Sequence, residues 1–226
     1  MIDSSTIKAL AFDYYGTIGA KQGLARAIDA HAPGKGPAMA KLWFATCQRY
    51  CFQNGTMRRY QPWDELTVAA FDFAAADLGL SSSDSIRDQL IEADCSVSAY
   101  VEAPAALARL AARFSLNVLS MGATWMIERS QQQAGIAGHF DRVITTQSAR
   151  VYKPDPAAYQ VGVDSIGLAT EQICFVSGNS FDVIGARNFG YPVVWVRRYA
   201  QPLDNLGLEP DLIVADLSEL ADALGA

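Results

Sequence analysis

Apolar and polar positions divide this chain into two regimes. From about residue 114 onward, short apolar runs alternate with amphipathic stretches. Strands are expected at 115–120, 142–145, 173–177, 192–196 and 211–214, and helices at 105–113, 124–134, 156–166, 181–189 and 217–224. A first strand over 7–15 belongs with them. It is mostly apolar and delivers one carboxylate, Asp13, at its carboxyl end, just before Gly16 breaks it. Strands alternating with helices make a parallel sheet covered on both faces. Residues 19–98 carry helical periodicity instead, at 38–50, 64–78 and 83–93, with turn signals at Pro33-Gly34, Asn54-Gly55 and Gly79 and no strand pattern. The fold expected is α/β, a Rossmann-like doubly wound parallel sheet formed by 1–18 and 99–226. An all-helical cap, 19–98, is inserted after the first strand and hangs over the strand tips as a lid.

Composition narrows the function. Half of the 226 residues are apolar, enough for one large or two small cores. A formal net charge of −6 and the lack of a basic cluster argue against a nucleic-acid surface, and Arg58-Arg59 and Arg197-Arg198 read as isolated, solvated pairs. No apolar run approaches the length of a membrane span, and residues 1–5 lack the regions of a signal peptide. Four cysteines, Cys47, Cys51, Cys95 and Cys174, show no disulfide spacing, which fits a reducing cytoplasm. Cys47 and Cys51 share a helix face, but with only His31 and His139 elsewhere the pair reads as buried thiols and no metal is expected.

Four polar clusters fall at the carboxyl ends of successive strands, where ligands of open α/β sheets sit. They are Asp13 with Thr17; Ser120; Lys153 within Val151-Tyr152-Lys153-Pro154-Asp155-Pro156; and Ser177-Gly178-Asn179-Ser180-Phe181-Asp182. Taken singly, each has a bland explanation: a turn-capping Asp13, a surface Lys153, a first-turn Asp182, a core Ser177. Their shared position is what points to a site. An anion at a buried strand tip also needs cationic and hydrogen-bonding partners.

In this order, the clusters resemble the haloacid dehalogenase superfamily over essentially the whole chain, helical cap included. Within it, Asp13-Tyr14-Tyr15-Gly16-Thr17 resembles the D-x-Y-G-T form of the L-2-haloacid dehalogenase branch, supported by V-Y-K-P-D-x-x-x-Y over 151–159 and FVSGNSFDVIGARNFG over 175–190. A phosphatase, the commoner activity of the superfamily, is disfavoured. The second aspartate it needs is Tyr15 here, and Asn179 stands where an acid for Mg²⁺ is expected.

The resemblance implies a hydrolase without metal or organic cofactor, acting on a small carboxylate. Asp13 displaces the C2 substituent to form an aspartyl ester. Lys153 keeps Asp13 ionised, Asp182 positions or activates the water, Ser177 and Asn179 fix Lys153 and the water, and Thr17 stabilises the oxyanion. Ser120 and adjacent amides hold the substrate carboxylate, Tyr159 joins the substrate-binding set, and the product is a 2-hydroxy acid with inversion. The resemblance also implies a homodimer, with the apolar helices around Trp43 and Phe71 as interface.

Two departures fall on the leaving-group side. The arginine that follows a Trp in the cap of this branch is Phe44, and the asparagine after the second-motif serine is Met121. Phe44 either lines the pocket or packs in the cap core. If Phe44, Trp63, Phe181 and Tyr15 line one pocket with Gln48 one turn from Phe44, the aromatic faces favour a cation. That favours an azetidine-2-carboxylate-like substrate, opened to a 4-amino-2-hydroxy acid, over release of halide. A non-catalytic binding protein has no need for Asp13 beside Lys153.

Overall fold

The computed structural model describes residues 2–20, 22–81 and 83–226. Its elements run β1 (Ala9–Phe12), β2 (Gly19–Ala20), α1 (Gln22–His31), α2 (Gly36–Thr56), α3 (Trp63–Asp77), α4 (Asp84–Cys95), β3 (Ser98–Ala99) and α5 (Ala103–Ala111). They continue as β4 (Ser115–Ser120), α6 (Thr124–Gln133), β5 (Arg142–Thr145), α7 (Pro156–Ile166), β6 (Ile173–Ser177), α8 (Ser180–Phe189), β7 (Val193–Val196), β8 (Leu212–Val214) and α9 (Leu217–Leu224).

Six strands form one parallel sheet in the order β5-β4-β1-β6-β7-β8, so the fold is the doubly wound α/β sheet that the sequence predicts. The chain winds outward from β1 to β5, then returns to the other side of β1. That reversal puts the end of β1 at the topological switch point, where a crevice opens. Alternation along β1 splits its side chains between two cores: Leu10 and Phe12 enter one, Ala9 and Ala11 the other. Helices α7 and α8 pack on the sheet's second core, while α5 and α9 pack together over the first.

Strand β1 is shorter than expected. Beyond Phe12 the backbone curls, with the Tyr14 carbonyl accepting from the amides of Ile18 (2.9 Å) and Gly19 (2.8 Å). Two-residue strands β2 and β3 then pair antiparallel on either side of the helical segment, a feature too short to leave a periodic signal. Helix α2 runs through Asn54-Gly55, against the expected turn. Its last turn packs beside the 152 loop, and Asn54 is buried with its amide on Gln61 (3.3 Å).

Trp43 and Phe71 themselves are core residues of the helical segment. They are 1% and 2% exposed, meet edge to face at 5.0 Å, and Trp43 donates its indole N–H to the Thr67 carbonyl at 2.7 Å. All four cysteines are buried. Among the described residues, no helix is long and apolar enough to cross a membrane.

Candidate active site

Asp13 follows β1 directly, and its amide extends the ladder to β6 by one bond, to the Val176 carbonyl at 2.9 Å. The turn behind it needs Gly16 at φ +82°, a conformation that costs other residues a clash of Cβ. Gly178 is constrained differently: a Cβ there would stand 2.3 Å from the Gly16 carbonyl oxygen. Two strand-end loops can meet only because that side chain is missing.

The centre of the site is a buried ammonium. Lys153 is wholly buried, and its Nζ donates to the Leu119 carbonyl (2.7 Å), Asp182 Oδ2 (2.8 Å) and Asp13 Oδ1 (3.3 Å). These three bonds use all its donors. The Phe175 ring lies 4.7 Å from the same nitrogen and adds cation–π attraction. On the other oxygen of Asp13, Oδ2, Asn179 Nδ2 donates at 2.7 Å and Thr17 Oγ1 at 3.2 Å. Thr17 is itself held by the Gly178 amide (2.8 Å), and Asn179 also donates to the Tyr15 carbonyl (2.8 Å). Every partner that a buried strand-tip anion requires is therefore present.

Asp182 lies in the first turn of α8, where the helix's free N–H groups favour an anion. Its Oδ1 accepts from the Tyr159 hydroxyl at 2.8 Å and its Oδ2 from Ser177 Oγ at 3.2 Å. Burial pushes its proton affinity above the usual carboxylate range; Lys153 opposes the rise and the charge of Asp13 adds to it. Two carboxylates share one ammonium, a buried excess of negative charge that a bound proton or an electrophile would relieve.

A small cavity, about 20 Å³, opens over Asp13, on the order of one water molecule. Its walls bring together Asp13, Tyr15, Phe44, Gln48, Trp63, Ser120, Met121, Gly122, Asn179 and Phe181. Phe44 lines this cavity, tilted against Trp63 with ring centroids 6.4 Å apart. Trp63 in turn stacks on Tyr15 at 6.0 Å and 8°. Ser120 Oγ accepts the Gly122 amide at 3.1 Å, turning the chain after β4 so that backbone edges the cavity. A larger cleft, about 730 Å³, shares Phe44 and Asn179 with it and reaches Lys41, Tyr199 and Gln201.

Three sequence-level assignments differ in place. Tyr159, assigned to the substrate, is fully buried below the site and holds Asp182 instead. Ser177 and Asn179, assigned to fixing Lys153 and the water, bond to the two carboxylates that hold Lys153, Asp182 and Asp13. Arg198, read as solvated, is half-buried and fully engaged: it donates to the Thr17 carbonyl at 2.6 and 3.1 Å, pairs with Glu102 at 2.7 Å, and lies 3.5 Å from the Tyr100 ring centroid. It thereby ties the loop of Asp13 to the chain's return at β3. A lone Arg-Arg pair carries no sequence signal of this.

Among the described residues, no group of three or more His, Cys, Asp or Glu side chains is placed to hold a metal ion. What the residues can do is nucleophilic: a carboxylate beside an ammonium, facing a small cavity with an aromatic wall, can attack carbon and be released by water.

Known proteins point the same way. Residues 7–190 match the haloacid dehalogenase-like hydrolase family. The haloacetate dehalogenase H-2 of Moraxella sp. (strain B) is 35% identical over 92% of this chain and 93% of its own. The (S)-2-haloacid dehalogenase H-109 of Pseudomonas putida is 32% identical over 96% of this chain and 98% of its own. Among solved structures, the L-2-haloacid dehalogenase from Xanthobacter autotrophicus with chloropropionic acid covalently bound superposes with a TM-score of 0.90, at 30% identity over 97% of this chain and 99% of that one. The family, the order of the four strand-end loops and the aspartate–lysine–aspartate centre agree, and the chain belongs to the haloacid dehalogenase-like hydrolases, in their L-2-haloacid dehalogenase-like branch.

Proposed function

We propose that this protein hydrolyses a small 2-substituted carboxylic acid at C2, with Asp13 as the nucleophile and an aspartyl ester as the intermediate. The observation that carries the reading is the buried Asp13–Lys153–Asp182 array opening onto one small cavity. Asp13 attacks C2 as the bond to the leaving group breaks and its electron pair departs. Thr17 Oγ1 and Asn179 Nδ2 both reach Asp13 Oδ2, so the oxygen that stays a carbonyl carries two donors into the tetrahedral intermediate. Asp182, with its raised proton affinity, takes the proton of the water that attacks the ester carbonyl. Ser120 and the Gly122 backbone hold the substrate carboxylate. Residues 19–98 act as a cap, supplying Phe44, Gln48 and Trp63 from above. The product is a 2-hydroxy acid, inverted at C2.

The relatives are named for (S)-2-haloacids and haloacetate, which supports halide as the leaving group. A second reading rests on the cavity wall. Phe44 and Met121 stand where the resembled dehalogenases carry arginine and asparagine, and the rings of Phe44, Trp63, Phe181 and Tyr15 surround the opening. Such a wall suits a cationic group, and a strained protonated four-membered ring, as in L-azetidine-2-carboxylate, would leave from C2 as an amine.

Purified protein given L-2-chloropropionate or L-azetidine-2-carboxylate, with chloride and primary amine assayed separately, decides between them. Chloride release supports the first reading and amine release the second. Neither product, from folded protein, overturns displacement at C2.

A further inference from the structure

Trp63, a residue of the cavity wall, carries a donor for which the described residues supply no acceptor. Trp63 is 3% exposed, and among the described residues no acceptor lies within hydrogen-bond distance of its indole Nε1–H. Leaving a buried donor unmatched is costly, and the penalty persists unless something else accepts the bond. Two neighbouring donors are engaged within the protein: the Asn179 amide on Asp13 and the Tyr15 carbonyl, and the Gly122 amide on Ser120 Oγ. Trp63 sits on the cap side of the cavity, across from Asp13 and beside Phe44, the position that lacks a guanidinium. Its ring cannot swing away freely, because it lies stacked on Tyr15 and closed in by Phe44.

We infer that the Trp63 indole N–H is the hydrogen-bond donor for the departing halide, standing in for the cationic donor that Phe44 replaces. The inference rests on the 2-haloacid reading and names the residue that assists halide departure where Phe44 and Met121 offer no donor. As the Asp13 oxygen bonds to C2, the C2–halogen bond breaks and its electron pair goes to the halide. Trp63 keeps its proton throughout and only donates to the growing negative charge. A neutral donor serves this role because it strengthens as the anion forms, and it leaves no charge buried when the site is empty.

The test uses Trp63→Phe, which keeps a ring on Tyr15 and deletes the N–H. With L-2-chloropropionate, kcat is expected to fall about 10- to 100-fold, the loss of one hydrogen bond to a charged acceptor. The loss should be smaller for the bromo substrate, whose leaving group needs less help, with KM little changed. A second readout is made on the wild-type protein. In protein labelled with ¹⁵N at tryptophan, one of the four indole N–H signals should move on adding bromide, while that of Trp43, bonded to Thr67, stays. Loss of the moving signal in Trp63→Phe identifies it.

If wild-type protein releases no halide from either substrate, the 2-haloacid reading fails. If wild type releases halide but the variant does so at an unchanged rate, or no indole signal responds to bromide, the assignment of Trp63 fails alone. An equal rise in KM for both halides with kcat unchanged would make Trp63 a carboxylate-binding residue and also overturn it.

Discussion

Replacing Lys153 by Met removes the ammonium while keeping a long apolar stem in a site that is wholly buried. Three bonds vanish together: 2.7 Å to the Leu119 carbonyl, 2.8 Å to Asp182 and 3.3 Å to Asp13. Stripping one partner from a buried ion pair costs about 3–5 kcal/mol, because the remaining charge has nowhere to go. For a chain of this size that lowers the melting temperature by roughly 6–20 °C. The deficit also depends on pH in a definite sense. Burial already holds Asp182 above the usual carboxylate value, and Lys153 is the largest influence opposing that rise. Without the ammonium the carboxyl climbs further. A group with a raised folded-state value keeps its proton where the unfolded chain, at about 3.9, has released it. Stability then falls as pH rises from about 4 through the raised value, so the variant should lag wild type more at pH 7 than at pH 5. Urea titrations at both pH values measure this directly. Equal stability of variant and wild type at both would refute the idea that Lys153 neutralises the two aspartates.

Other consequences follow from the same contacts. Tyr159→Phe removes the 2.8 Å bond to Asp182. It should lower kcat and move the acid limb of the kcat/KM profile upward, since that bond favours the ionised carboxylate; in wild type the limb already lies above about 4. Arg198→Gln should cost about 3 kcal/mol in denaturant, from the broken Glu102 pair and lost Thr17 contacts, and reduce kcat more than it raises KM. Gly178→Ala places a Cβ 2.3 Å from the Gly16 carbonyl oxygen. It should lower both stability and turnover by parting the loops of Asp13 and Asn179, visible as a lower melting temperature and a lower kcat. Phe44→Arg should raise chloride release if halide leaves and abolish amine release if an azetidine ring opens.

Much of this architecture can be read from residue pattern because its strands are apolar runs closed by turn residues. Strands β4, β5 and β6 and helices α7 and α9 fall on their expected bounds; Gly178 closes β6, and Asp155 and Asp216 cap α7 and α9, which end at Gly167 and Gly225. The site was legible for a related reason: in a parallel sheet, strand-end residues converge whatever lies between them, so Asp13, Ser120, Lys153 and Asp182 meet. Contacts that depend on which way a long side chain turns were not legible. Arg198 looks solvated in sequence but is half-buried and bonded to Glu102 and Thr17. Tyr159 belongs to a motif, yet its hydroxyl turns below the sheet edge to Asp182. The β2–β3 pairing that brackets the helical segment spans two residues per strand, fewer than any periodicity can reveal. Asn54-Gly55 reads as a turn in isolation, but tertiary packing carries α2 through it.

Covalent attachment of substrate carbon to Asp13 is tested most directly by one turnover in ¹⁸O water, with enzyme in excess over substrate, followed by mass analysis of the peptide containing Asp13. Ester hydrolysis at the carbonyl puts the heavy oxygen into the Asp13 carboxylate and releases a 2-hydroxy acid carrying the light one. Label in the product alone, with an unlabelled Asp13 peptide, would mean that water attacks the substrate directly and would contradict the covalent mechanism.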